Sequence, residues 1–155
     1  MHHGVKAEVY VMFSKACEYA LRATIFLAQK SSEGEKRSVD DVATGIDAPR
    51  SFTAKILQQL IREGVISSAK GPSGGFYLTD KAKAQTVWGV LQAFDEDQRL
   101  TGCVMGLHKC NDKKPCPMHN QFKAIREPLV EMFKQKRISE LAETMRNTKS
   151  FVKHQ

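Results

Sequence analysis

The sequence predicts a mainly α-helical chain with one small β-hairpin, and three observations carry that expectation. Apolar residues recur at three- and four-residue spacing in several separate stretches. A glycine-rich turn flanked by two short β-prone segments interrupts them near the middle. The last long amphipathic stretch follows a turn-rich loop, residues 102–119, that holds three of the four cysteines.

With 155 residues, the chain has room for one domain, or a small domain with an appended helix. A hydrophobic content of 41% excludes wholesale disorder. No apolar run approaches the roughly 18–20 residues needed to cross a bilayer, so no membrane association is expected. Residues 1–11 lack the apolar core of a secretory signal and are read as an N-terminal extension or an expression remnant. The expected location is the cytoplasm, where thiols stay reduced and grouped cysteines bind metal more often than they form disulfides. Lys and Arg outnumber Asp and Glu by 24 to 17, a net charge of +7 that suits a polyanion such as nucleic acid.

The first helix is expected over 14–29, with Ala16, Tyr19, Ala20, Ala23, Phe26 and Leu27 on one face and Ser14 as its cap. Cys17 on this helix reads as a small buried hydrophobe. Residues 31–35 are a polar break. Ser38, followed by Val39, Asp40 and Asp41, signals a second, short helix through Val42, Ala43 and Ile46, with its carboxylates near the positive end of the dipole. Pro49 cannot continue it but can open the next. The third helix carries Phe52, Ile56, Leu57, Leu60 and Ile61 inward, offers Arg50, Ser51, Thr53, Lys55 and Gln59 outward, and ends at Gly64.

Two short helices joined by a tight turn, the second polar and basic outside, fit a helix-turn-helix. The hairpin that follows, strands at 65–68 and 76–79 around Lys70, Gly71, Pro72, Ser73, Gly74 and Gly75, would be the wing of a winged helix-turn-helix. Its glycines leave a slim backbone able to approach a phosphate or the minor groove. A phosphate-gripping loop would need Gly-Lys-Ser/Thr opening a helix, whereas a strand follows here.

Residues 80–85 read as a charged connector. Thr86 is expected to cap a helix bearing Val87, Val90, Leu91 and Phe94, with Trp88 packing beside that stripe. The acidic run 95–97 leads into the cysteine loop, where Cys103, Cys110 and Cys116 are spaced C-x6-C-x5-C and His119 follows. Clustered soft thiolates suit a metal centre, and a structural zinc would accept three cysteines and a histidine at these distances. A metal-free thiol switch and an electron carrier are further alternatives, though a small ferredoxin needs four close cysteines. His108 reads as solvated. A long helix over 120–137, with Phe122, Ile125, Leu129, Met132 and Phe133 in line, presents a stripe that a symmetric dimer would bury. Pro128 should kink or break it. Ser139 is expected to cap a last short helix through Leu141, Ala142 and Met145. No Ser/His/Asp arrangement or nucleotide loop suggests an enzyme or a small-molecule substrate.

Taken together, the segments SKACEYALR (14–22), KILQQL (55–60), GVISS (64–68) and the wing KGPSGGFYL (70–78), with the three-cysteine loop, resemble the Rrf2 family of bacterial transcription regulators. The resemblance is closest to its iron–sulfur cluster regulator branch. It covers nearly all of the chain from Met12 onward. It implies a homodimer with a winged helix-turn-helix over 12–84, a dimerisation region over 85–147 containing a sensor loop at 102–119, and a flexible tail at 148–155. It further implies a cluster, [2Fe–2S] in preference to [4Fe–4S], on Cys103, Cys110 and Cys116. His119 is the preferred fourth ligand, and Glu18, supplied across the dimer, is the alternative. The expected function is a DNA-binding regulator, a repressor, responding to cluster status, redox state or nitric oxide. Arg50, Ser51, Thr53 and Lys55 would enter the major groove of a pseudo-palindromic operator, while Lys70, Gly71, Pro72, Gly74 and Gly75 touch backbone or minor groove. Two features depart from the family pattern. The first cysteine interval is one residue longer than usual, and Ala54 stands where many relatives carry Glu.

Overall fold

The computed structural model describes residues 12–107 and 110–148. The expected extension at 1–11, His108 and the tail beyond 148 lie outside the described residues. Helix α1 (Lys15–Lys30) starts where Ser14 Oγ accepts the Cys17 amide. It buries Cys17, Ala20, Ala23, Thr24 and Leu27 at helical spacing. Thr24 is tolerated in this interior because its hydroxyl donates to Ala20 O at 2.8 Å.

Helix α2 (Val39–Ile46) opens on a full capping box: Ser38 Oγ accepts the Asp41 amide, and Asp41 Oδ2 accepts the Ser38 amide. Asp47, at φ 54°, turns the chain left-handed, and Pro49 delivers it into α3 (Arg50–Arg62). Gly64 (φ +73°) ends α3, where its own amide and that of Val65 return to Ile61 O and Leu60 O. Strands β1 (Ser67–Ala69) and β2 (Gly75–Tyr77) then pair antiparallel, with Ser68 opposite Phe76. Both strands are shorter than expected. Ile66 turns into the core instead of joining the ladder, and Leu78 does the same after β2. Arg37 adds a bridge to Phe76 from the other side, with backbone bonds of 2.9 and 2.8 Å.

The second half departs more from expectation. The connector at 80–85 contains a turn of helix, α4 (Asp80–Lys83), because Thr79 Oγ1 accepts the Ala82 amide. Thr86 is not a cap. It lies in a bridge with Arg137, and α5 (Trp88–Ala93) begins without a side-chain cap. The acidic run forms a corner at Asp95 (φ 56°) and starts an unanticipated helix, α6 (Asp97–Thr101). Helix α7 (His119–Gln135) runs through Pro128 without a break. Helix α8 (Ile138–Thr148) starts before Ser139, and Glu140 caps it by accepting the Arg137 amide at 3.0 Å.

Two apolar clusters meet along α1. The first gathers Leu27, Val42, Ile46, Leu57, Leu60 and Leu78 with Ile138 and Ala142 of α8. Sequence order groups α8 with the dimerisation region, yet it packs into the core of the winged unit, and Gln29 Nε2 donates to Ala142 O. The second cluster joins Phe13, Cys17, Leu91 and Leu100 with Trp88, Leu129 and Phe133. Phe13 and Phe133 meet edge to face at 5.6 Å.

Buried Ser31 ties the end of α1 to the wing: its hydroxyl donates to Leu27 O (2.7 Å) and accepts the Leu78 amide (3.1 Å). Ser31→Ala leaves that amide unpaired, at a cost of about 1–3 kcal/mol. The expected fall in Tm is about 2–12 °C for a chain of this size. An unchanged melt would show that Ser31 does not anchor the wing.

Candidate functional site

On α3 the exposed residues Ser51, Lys55, Gln58 and Arg62 recur at four- and three-residue spacing and form one outer strip. Thr53 does not belong to it. Its side chain is fully buried and donates to Pro49 O at 2.9 Å, which closes the helix start and removes Thr53 from any groove. Gln59 also turns inward, to Ala93 O. Gln58 and Arg62 take their place on the outer face; sequence reasoning missed them, though their spacing from Ser51 and Lys55 would have found them. Arg50 is exposed and paired with Asp40 at 2.8 Å, while Arg62 is paired with Gln59.

In the wing, Lys70, Gly71 and Pro72 are exposed at the tip. The glycines are not equivalent. A Cβ on Gly74 would lie 2.3 Å from Ala69 O, and one on Gly75 (φ +142°) would lie 2.6 Å from Arg37 O. Both positions are dictated by the hairpin's own packing. Gly71 (φ +98°) has open space around it.

The cysteine loop leaves α6 at Gly102 and rejoins the fold at His119, the first residue of α7. All four cysteines are free thiols. Cys17 stands apart: burial, with the Glu96 and Glu18 charges adding, pushes its thiol up to about 12, as suits an inert core residue. In the loop, Cys110 Sγ lies 3.2 Å from His119 Nδ1, and Cys103 is near enough to Cys116 to act on its thiol. Burial pushes the Cys116 thiol up; the Met118 amide opposes this, and the neighbouring Cys103 and Cys110 reinforce it. His119 is 5% exposed, and its Nε2 meets Asp112 Oδ1 at 2.8 Å. Lys123 Nζ reaches the same oxygen at 2.8 Å. Hydrogen bonds from Lys123 and then His119 hold the Asp112 carboxyl well below its usual range, at about 2. This link between loop and α7 therefore persists down to the ordinary carboxylate range and is lost only as pH falls towards about 2. Glu18 lies on α1, paired with Lys15 at 3.8 Å.

Three thiols and an imidazole are a donor set an iron–sulfur group can take, and of these Cys110 and His119 are in contact. Among the described residues, no three His, Cys, Asp or Glu groups already converge on one point. The fit is thus in donor type and neighbourhood, and closing it requires the loop to draw in. A cleft of about 750 Å³, lined by Asp97, Gln98, Thr101, Gly102, Cys103, Gly106 and Cys110, leaves room for that movement.

A helix-turn-helix with a paired wing and an exposed polar, basic recognition strip defines a DNA-binding transcriptional regulator. Residues 13–144 match the profile of Rrf2, described as an iron-dependent transcriptional regulator. The chain is 31% identical to an HTH-type transcriptional regulator of Aquifex aeolicus over 133 residues, covering 84% of this chain and 91% of that one. It is 27% identical over 123 residues to the HTH-type transcriptional regulator IscR of Erwinia tasmaniensis, covering 79% and 73%. Its fold matches the structure of CymR, the global cysteine regulator of B. subtilis, with a TM-score of 0.68 at 20% identity, over 87% of this chain and 98% of that one. The chain belongs to the Rrf2 family. Its members regulate transcription and are not enzymes. Among the described residues, no helix is long and apolar enough to cross a membrane.

If the outer strip and the wing tip are the DNA face, Lys55→Ala and Lys70→Ala should each weaken binding to a duplex selected from random sequence. Each should also lower the salt slope of log K by about 1. Wild-type affinity and slope in a titration across salt concentrations would remove those lysines from the interface.

Proposed function

We propose that this protein is a cytoplasmic, homodimeric repressor of the Rrf2 family whose hold on a pseudo-palindromic operator is set by an iron–sulfur cluster on Cys103, Cys110, Cys116 and His119. The observation that carries this reading is the contact between Cys110 and His119 at 3.2 Å, with Cys103 and Cys116 interacting beside it. Cys110 and His119, nine residues apart in a turn-rich loop, are brought together at the start of α7. A [2Fe–2S] group is preferred because His119 stands shortly after the third cysteine, where the family members resembled take a histidine as the fourth ligand of such a cluster. Glu18 is kept as the alternative fourth donor, supplied by a second subunit.

When bound, the cluster supplies redox-active iron and a set of bonds that tie the loop's two ends together. The chain's own residues supply the rest. Cys103 follows α6 directly, and α6 grows out of the corner at Glu96. Glu96 is buried and its Oε1 accepts the Ser14 amide at 2.9 Å, so the corner is bonded to the start of α1. A shift of α6 as the loop closes is therefore felt by the helix on which α2 and α3 pack. Different contacts in the loaded and empty dimers would provide the coupling that sensing requires.

Dimerisation is supported by the exposed face of α7, where Ile125 is 70% and Met132 51% exposed, two turns apart on one side. Arg50, Ser51 and Lys55 would face the major groove, and Lys70, Gly71 and Pro72 the backbone or minor groove, with Gly74 and Gly75 shaping the wing. A second reading, a metal-free thiol switch, rests on Cys103 and Cys116 both being free thiols, with Cys103 near enough to act on Cys116. Structural zinc on the same donors is the remaining alternative.

Protein purified without air is expected to be brown, with visible absorption and stoichiometric iron and sulfide, and Cys110→Ala is expected to be colourless. A colourless wild type loaded with zinc would decide for the structural metal. One with neither metal would decide for the thiol switch.

A further inference from the structure

His119 and Lys123 sit one turn apart on α7 and converge on a single loop oxygen, Asp112 Oδ1, each at 2.8 Å. This arrangement lies outside the four cluster donors, and neither composition nor cysteine spacing points to it. We infer that Asp112 is the positioning residue for His119: it holds the imidazole with its proton on Nε2 and its Nδ1 lone pair turned towards Cys110, so that Nδ1 is the atom offered to iron. The inference rests on the proposed cluster site and specifies how one of its ligands is prepared.

An ionised carboxylate only accepts hydrogen bonds, so the imidazole nitrogen facing Asp112 has to carry a hydrogen. A neutral imidazole carries one such hydrogen, which leaves the opposite nitrogen as the lone-pair donor. That nitrogen, Nδ1, is the one 3.2 Å from Cys110 Sγ. Burial of the ring limits its choice of partners, since water cannot readily replace Asp112 on a side chain 5% exposed. Lys123 serves a separate purpose. It fixes a carboxylate that is itself largely exposed and on a loop, and its own second partner, Glu127 at 3.7 Å, is weaker. A histidine ligand whose far nitrogen donates to a carboxylate is held in orientation and made a better electron donor. Loss of such an outer partner typically costs 10–100-fold in metal affinity.

The test uses the full-length chain in two states. In the cluster-free protein with histidine labelled by 15N, the His119 Nε2–H should give a downfield proton signal protected from exchange, assigned by its disappearance in His119→Gln. It should vanish in Asp112→Ala and persist in Asp112→Asn, which keeps an acceptor oxygen. A residue that merely braced the loop would not give this pattern. In protein reconstituted with ferrous iron and sulfide and then reduced, pulsed EPR with singly labelled histidine should show coupling to Nδ1. Asp112→Ala should lose iron to a chelator about 10–100-fold faster than wild type.

A proton on Nδ1 in the wild type, a downfield signal that survives in Asp112→Ala, or iron coupling to Nε2 would overturn the assignment. If the wild type takes up no iron and sulfide, the cluster reading fails, while the cluster-free spectrum still decides the role of Asp112.

Discussion

The structure depends on α1 being buried along its length against two separate cores. Ala20, Ala23 and Leu27 pack into the helix-turn-helix, and Cys17 packs into the cluster beneath α5, α6 and α7. Such a helix cannot adjust at one end without disturbing the other, because close-packed interiors transmit displacement poorly absorbed by voids. Its N-terminus is held by a buried carboxylate: Glu96 accepts the Ser14 amide through Oε1, and Oε2 faces Arg99 at 3.2 Å in an ion pair short of hydrogen-bond alignment. The corner that launches the cysteine loop is thereby part of the helix cap of the DNA-binding unit.

The loop itself has a chemical reason to seek a cation. Burial disfavours the charged form of the Cys116 thiol, and the neighbouring Cys103 and Cys110 add to this. A cluster bound there as proposed would release the thiol protons, so its loading would strengthen as pH rises. Linkage then works in both directions: whatever the cluster does to operator affinity, operator DNA does to cluster affinity by the same factor.

The first half of the chain was legible because local signals and tertiary packing agree there. The Ser14 and Ser38 caps, the Asp47–Pro49 corner and Gly64 each stand where their backbone roles require. Misplacements occurred where long-range contacts override local preference. Thr53 looked outward by composition but closes the start of α3, and Thr86 looked like a cap but is held by Arg137. The destination of α8 could not be read from periodicity, since Ile138 and Ala142 fix its face but not its partner. In the cysteine loop, the four proposed donors came from the family resemblance and the cysteine pattern. Asp112 did not, because one aspartate in a polar loop carries no pattern until α7 sets His119 and Lys123 around it.

The most direct test of cluster control is operator affinity measured on one preparation, first metal-free and then after anaerobic loading with iron and sulfide, beside Cys116→Ser treated identically. A coupled sensor should change its affinity about 5- to 150-fold on loading, with no change in the variant. Equal affinities for the empty and fully loaded wild type would contradict the claim that the cysteine loop sets the grip on DNA.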